Sequence, residues 1–243
     1  MHCPTTLEVN GKETEFPLPE PGLPLNFSNS TGLRYEAEDV RRCLLKGLKE
    51  SIKMSLTEVM DEPRRQVVAV AARDLKHAQE FAQRHSVPRA YGSYEDLAKD
   101  PEIDVVYVGT IHPHHLSVGV LFMNAQKNVL CEKPLAMNLK EVQELIASAQ
   151  KNHVFLMEAV WTRFFPVSVE ISRLLSRGEV GEVKVVRAEF GAPLTHVPRA
   201  VRKDLGGGAL LDIGVYCLQF VLMVFNGEKP ESIQATGVCL DTE

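Results

Sequence analysis

The chain has 243 residues, of which 44% are hydrophobic and 24% charged, with a formal net charge of −5. That length can bury a core without covalent staples, and the acidic balance with no basic stripe argues against nucleic acid as a partner. Five scattered cysteines fit reduced thiols of a cytoplasmic protein, while the lack of an 18-residue apolar run or an apolar leader argues against a membrane span or secretion.

Residues 1–65 form a first, irregular segment. Leu7–Val9 followed by Asn10-Gly11 predicts a hairpin, since Asn-Gly suits the positive φ of a tight turn. The prolines at 17, 19 and 21 favour extended backbone. A helix is expected from about Tyr35 to Leu48, with Ala37, Val40, Leu44 and Leu48 on one face. Ser55–Arg65 reads as a charged connection.

The pattern changes at Gln66. Val67–Ala72 is a continuous apolar run followed by Arg73-Asp74, with Asp74 placed to cap a helix whose inner face is Leu75, Ala78, Phe81 and Ala82. Val105–Thr110 predicts a second strand and about Pro113–Ala125 a second helix. Asn128–Cys131 is a third strand that stops on Glu132-Lys133-Pro134, because proline forbids a further ladder bond. Asn138-x-x-Glu141 opens the next helix, with Val142, Leu145, Ile146 and Ala149 inward, and Val154–Met157 is a fourth strand. Apolar runs alternating with amphipathic helices predict right-handed βαβ units, so residues 66–160 read as part of a doubly wound parallel sheet.

Residues 161–243 have another character. A helix is expected over Pro166–Ser176, and Val183–Phe190 alternates as a strand of an open antiparallel sheet should. Gly206-Gly207-Gly208 precedes an apolar helix to about Phe225, and Ser232–Val238 predicts a returning strand. This reads as a partial α+β domain.

Candidate chemistry lies at the carboxyl ends of the parallel strands, where ligands sit in open α/β sheets. Arg73 faces the place of an adenosine ribose and could hold a 2′-phosphate, or it is a solvated helix start. Gly109 and Thr110 permit close approach of a cofactor. His112, His114 and His115 are too close in sequence to converge on one ion, and no metal site is expected. Lys133 could depress a neighbouring pKa, or lie in an ordinary surface loop. Asp212 and Tyr216 share a helix face; a free phenol with pKa ~10 needs a cation beside it to act as a base, and a buried structural tyrosine is the plain alternative. Trp161 and Arg163 could shape a substrate wall or belong to an ordinary core.

Together these segments resemble the glucose–fructose oxidoreductase and inositol dehydrogenase family, and within it the branch of dimeric dihydrodiol dehydrogenases. The likeness is carried by Val-Ala-Ala-Arg-Asp at 70–74, Tyr-Val-Gly-Thr at 107–110, Cys-Glu-Lys-Pro at 131–134, the run from Glu158 to Pro166, Thr-His-Val-Pro-Arg at 195–199, and the run from Gly207 to Tyr216. Many relatives carry histidine in place of Tyr216, and the tyrosine points to the dihydrodiol branch. The resemblance implies a Rossmann-like fold and an NADP-dependent dehydrogenase of vicinal diols and aldose sugars such as D-xylose, with a homodimer possible. It implies Tyr216 as acid/base, Lys133 as its activator and Asp212 as a positioning group. It also implies Arg73, Gly109, Thr110, His112, Glu132 and Lys133 along the cofactor, and Trp161, Arg163 and His196 on the substrate side. Residues 1–65 resemble the family's carboxyl-terminal segment placed in front, and the family's glycine-rich first βα unit has no counterpart in the chain. That unit supplies the backbone N–H groups that hold a pyrophosphate, so the alternative implied is a non-catalytic relative that serves as an interaction protein or is an unstable product.

Overall fold

A computed structural model of the chain describes residues 67–237 and the backbone of four short strands, β1 (Thr6–Val9), β2 (Lys12–Glu15), β3 (Phe27–Ser28) and β4 (Arg34–Tyr35). Strands β1 and β2 pair antiparallel with Val9 opposite Lys12, which leaves Asn10-Gly11 between them as the hairpin reading requires. Strands β3 and β4 also pair antiparallel. Tyr35, expected to begin a helix, closes β4; the remainder of that helix and the proline-rich stretch lie outside the described residues.

The described residues divide into two compact units. One, the sheet unit, holds 67–159 with 204–206; the other, the helical unit, holds 160–203 with 207–237.

In the sheet unit, strands and helices alternate: β5 (Ala69–Ala71), α1 (Leu75–His85), β6 (Arg89–Tyr91), α2 (Tyr94–Ala98), β7 (Val105–Val108), α3 (His115–Asn124), β8 (Asn128–Glu132), α4 (Leu139–Asn152) and β9 (Leu156–Ala159). All pairings among these strands are parallel, but they form two sheets: β5 with β6, and β7-β8-β9 in that order. The sheet is split where β5 and β7 would each need a neighbour. The core lies under the three-stranded sheet. Val129 and Cys131 of β8, Phe122 of α3 and Leu145 of α4 are all at most 2% exposed. Full burial of a leucine such as Leu145 stabilises by about 1.5–3 kcal/mol. A Cβ on Gly119 would stand 2.8 Å from Leu145 Cδ2, so glycine is what lets α3 approach α4.

The helix starts follow their sequence signals. Asp74 Oδ1 accepts from His77 N–H at 3.0 Å, and Asn138 Oδ1 accepts from Glu141 N–H at 3.1 Å. Glu141 Oε2 reaches back to Met137 N–H at 3.1 Å, a variant of the reciprocal cap. The short β6 and α2 were not among the expected elements. Ser93 Oγ caps α2 through Asp96 N–H. Asp100, just beyond, accepts from Glu102 N–H at 2.9 Å and Tyr91 Oη–H at 2.9 Å and pairs with Arg89 at 3.0 Å. These donors, the Glu102 amide foremost, hold the Asp100 carboxyl below its ordinary range.

The helical unit contains a 3-10 turn (Trp161–Phe164), α5 (Pro166–Ser176), the single turn α6 (Pro198–Val201), and a π-helical turn (Leu210–Gly214) that runs into α7 (Val215–Val224). The open antiparallel sheet expected here does not form among the described residues. Residues 183–190 and 232–237 carry no ladder, and Val185 and Ile233 are 73% and 82% exposed. Alternation marks a strand only where a partner satisfies its backbone groups and covers its apolar face. Among the described residues Lys203–Val224 is long and apolar enough, by length and composition only, to cross a membrane. It also carries Asp212, buried and ion-paired within the unit.

Candidate active site

The carboxyl ends of β7, β8 and β9 hold one half of the expected chemistry. Glu132 closes β8, and Lys133 follows it at the start of a tightly tethered loop. Glu132 Oε1 accepts from Tyr107 Oη–H at 2.6 Å, and Oε2 accepts from Lys133 N–H at 3.1 Å. The buried ring of His115 spans the loop and the end of β7: Nδ1 lies 2.8 Å from Pro134 O, and Nε2 lies 2.9 Å from Thr110 O. Glu158 of β9 accepts from Leu135 N–H at 2.8 Å. The Lys133–Pro134 peptide is cis. Strands on both sides therefore fix the backbone that carries Lys133, and its half-buried side chain leaves a positioned base. Neither His115 nor Glu158 was expected in this role; both bonds go to backbone groups, which no side-chain motif announces.

Thr110 and Gly109 sit at the end of β7. Thr110 Oγ1 is buried and has no hydrogen-bond partner, which is unusual for a native hydroxyl. A Cβ on Gly109 would lie 2.9 Å from the Tyr107 ring, so glycine makes room for the tyrosine that holds Glu132. His112 is buried beside His115, ring centroids 5.9 Å apart. Arg73 is exposed at the end of β5, in the other sheet. Burial, with Glu158 and Glu132 adding to it, pushes the Cys131 thiol well above its ordinary range, which keeps that sulfur inert. Among the described residues no group of three histidines, cysteines or carboxylates could hold a metal ion.

The helical unit holds the second half. Trp161 Nε1–H donates to Tyr216 Oη at 2.7 Å, joining residues 55 apart in sequence. The two rings meet edge-on at 5.7 Å, and Phe190 approaches Tyr216 from another side at 5.6 Å. The phenol thus stands in an aromatic wall with a donor aimed at its oxygen. One helical turn before it, Asp212 is 3% exposed and accepts from Arg199 Nη1 at 2.9 Å. The π-helical turn under Asp212 is a geometry that recurs at functional sites. Gln219, one turn past Tyr216's neighbour Val215, donates to Thr162 Oγ1 at 3.3 Å, while its Oε1 is buried without a partner.

The structure thus joins Trp161 to Tyr216 and sets Asp212 on the same helix. It does not join Arg163 or His196 to that group: both side chains are exposed. From the 195–199 segment it is Arg199 that reaches Asp212, a residue read in the motif but given no role. Phe190 was read only as part of a strand; its place beside the phenol depends on tertiary packing. Lys133 and Tyr216 belong to different units.

Comparison with known proteins follows the same division. Residues 42–160 match the family described as "Oxidoreductase family, NAD-binding Rossmann fold", and residues 168–243 match "GFO/IDH/MocA C-terminal domain". The chain is 81% identical over 177 residues to the trans-1,2-dihydrobenzene-1,2-diol dehydrogenase of Danio rerio, covering 73% of this chain and 53% of that protein. It is 53% identical over 191 residues to the Homo sapiens protein of the same name, covering 79% and 57%. The chain spans about half the length of the curated relatives it matches. Among solved structures it is similar to an NAD binding oxidoreductase from Klebsiella pneumoniae, with a TM-score of 0.62, 28% identity, and coverage of 77% of this chain and 48% of that one. An aldose-aldose oxidoreductase from Caulobacter crescentus, complexed with glycerol, gives a TM-score of 0.60 at 25% identity, covering 67% and 50%.

Proposed function

The chain belongs to the GFO/IDH/MocA oxidoreductase family, and from that we propose that it serves the oxidation of vicinal diols, trans-dihydrodiols to catechols, and of aldose sugars such as D-xylose, with NADP as the hydride acceptor. The observation that carries the proposal is the indole N–H aimed at the Tyr216 oxygen inside an aromatic wall. Tyr216 takes the hydroxyl proton; the Trp161 indole N–H favours its ionised state; Asp212, held by Arg199, orients the polar groups of the substrate. Trp161 and Phe190 supply the apolar surface that a dihydrodiol ring needs. A bound nicotinamide would supply the hydride-acceptor chemistry at the carbon whose hydroxyl proton Tyr216 takes.

The residues present fit the nicotinamide side of such a cofactor. The Thr110 hydroxyl is a buried polar group in want of a partner just past the carboxyl end of β7, and Glu132 closes the neighbouring strand β8. For its pyrophosphate, the sequence contains no Gly-x-Gly-x-x-Gly turn, and among the described residues no strand joins β5 to β7. The alternative reading is a relative that binds partners and does not turn over substrate.

Titrating NADPH fluorescence with the purified chain separates the two. Micromolar binding supports the dehydrogenase; no quench at millimolar cofactor sinks it. In the dehydrogenase, Tyr216→Phe should lower kcat by about 10²–10⁴-fold, the usual weight of a general acid–base group, while cofactor affinity holds. Equal turnover in the two forms removes Tyr216 from the reaction.

A further inference from the structure

The register of β7 on β8 sets Tyr107 opposite Leu130 and Val108 opposite Cys131. Side chains alternate along a strand, so Tyr107 and Gly109 share the face of the sheet that carries Leu130 and Glu132. Glu132 lies two residues past the direct partner of Tyr107, a diagonal that only a long side chain can bridge. Tyr107 does bridge it, its hydroxyl donating to Glu132 Oε1 at 2.6 Å. The ring gets there by leaning along its own strand over Gly109, where a Cβ would stand 2.9 Å from Tyr107 Cε1. Glycine at 109 and tyrosine at 107 therefore work together: one leaves the space and the other fills it.

The bond holds the start of the loop after β8. Glu132 turns its second oxygen, Oε2, back to the Lys133 N–H at 3.1 Å. Donors on both oxygens, one from each strand, fix the plane of a carboxylate as a single donor does not. Residues 134 and 135 are anchored by other means, Pro134 O lying 2.8 Å from His115 Nδ1 and Leu135 N–H donating to Glu158 at 2.8 Å. Tyr107 thus reaches the Lys133 amide from β7 through one intervening carboxylate. The end of β7 also carries the exposed backbone of Gly109 and the buried Thr110 hydroxyl, which has no hydrogen-bond partner. Tyr107 is where that strand end and the Lys133 loop meet.

We propose that Tyr107 is a positioning residue for the cofactor side of the site: its hydroxyl orients the Glu132 carboxylate and, through it, ties the Lys133 backbone to β7. What is positioned rests on the functional reading above, which sets a nicotinamide cofactor along Thr110 and Glu132; the bridge itself does not. Covering Gly109 needs only an aromatic ring, whereas holding Glu132 needs the hydroxyl. A tyrosine present for packing alone would lose nothing but stability when that hydroxyl is removed.

Tyr107→Phe keeps the ring and removes the bond. In the chain without cofactor, hydrogen exchange at the Lys133 amide should become about tenfold faster, while Leu135, anchored by Glu158, keeps its rate. Gly109→Ala keeps the hydroxyl but pushes the ring from its place, and should speed exchange at Lys133 likewise; it reads the same bridge should Tyr107→Phe not fold. Fluorescence titration with NADPH should show about tenfold weaker binding for Tyr107→Phe and for Glu132→Gln, since glutamine puts an N–H₂ where one of the two donors points. Combining the two should bring no further loss, because both remove one link. In turnover of a diol, kcat should fall and KM for NADP rise while KM for the diol holds, a split that a general loss of stability does not produce.

Unchanged exchange at Lys133 in the variants would overturn the proposal whatever the cofactor does. Unchanged NADPH affinity in Tyr107→Phe would overturn it because nothing on the cofactor side is then positioned. Losses that add in the double variant would overturn it because Tyr107 and Glu132 then act apart. An unaltered chain that binds no NADPH sinks the functional reading instead, and the exchange rates, which need no cofactor, still decide whether Tyr107 holds Lys133.

Discussion

Replacing Trp161 by phenylalanine keeps most of the aromatic wall and removes one thing, the indole N–H that reaches Tyr216 Oη at 2.7 Å. A hydrogen bond to a charged group contributes about 1.5–3 kcal/mol. Both side chains are half-exposed, so water replaces part of the lost donor and the low end applies, ~1.5 kcal/mol. The bond is stronger to a phenolate than to a phenol, so its loss disfavours the ionised form, and ~1.4 kcal/mol corresponds to one pKa unit. The ionisation of Tyr216 should therefore move upward by about one unit in Trp161→Phe. The measurement is a spectrophotometric phenolate titration of the chain, with Tyr216→Phe subtracted in each background to isolate this tyrosine from the other four. In an active preparation the ascending, acid-side limb of the kcat/KM profile for oxidation should move to higher pH by the same amount. An unchanged titration would show that the 2.7 Å contact does not bias the proton, and the aromatic cluster would then be packing alone.

Two further substitutions probe what holds the sheet unit. Leu145→Ala, at a site with no exposure, should cost about 2–5 kcal/mol in chemical denaturation, and a loss under ~1 kcal/mol would mean α4 is not packed as described. Asp100 has a carboxyl held below its ordinary range by the Glu102 amide, Tyr91 and Arg89. Its contribution is therefore complete above the unfolded value of about 4 and is lost as pH falls through the lower folded value. Asp100→Asn should destabilise at neutral pH and flatten the acid limb of the thermal melting profile; parallel profiles for the two proteins would refute that account.

The parallel strands were legible because burial on both faces leaves little but apolar residues: Val129, Leu130 and Cys131 are all fully buried. The helix starts were legible because a cap is local chemistry, and Asp74 and Asn138 each bond an amide three residues on. Strand β6 was not, since a three-residue strand held by Arg89, Asp100 and Glu102 depends on ion pairs 11 and 13 residues apart. The alternation in 183–190 has no ladder partner among the described residues, because pairing is a property of two segments and a pattern in one does not supply the other. At the site, residue types at strand ends were legible. The tethers through His115 and Glu158 were not, as they end on backbone atoms, and neither was Arg199, whose meeting with Asp212 depends on how α6 packs.

The split of the sheet also divides the expected cofactor residues. Thr110, Glu132 and Lys133 all stand at the ends of β7 and β8, within one ladder, and Glu158 and His115 brace them from β9 and α3. None of these contacts passes through β5 or β6. Arg73, the residue suited to a 2′-phosphate, follows β5 in the other ladder. Thr110, Glu132 and Lys133 are thus braced within one ladder, whereas Arg73 stands at the end of the other. If Arg73 holds a 2′-phosphate, Arg73→Ala should weaken NADP binding more than NAD binding in a fluorescence titration, and an equal loss for the two cofactors would take that role from Arg73.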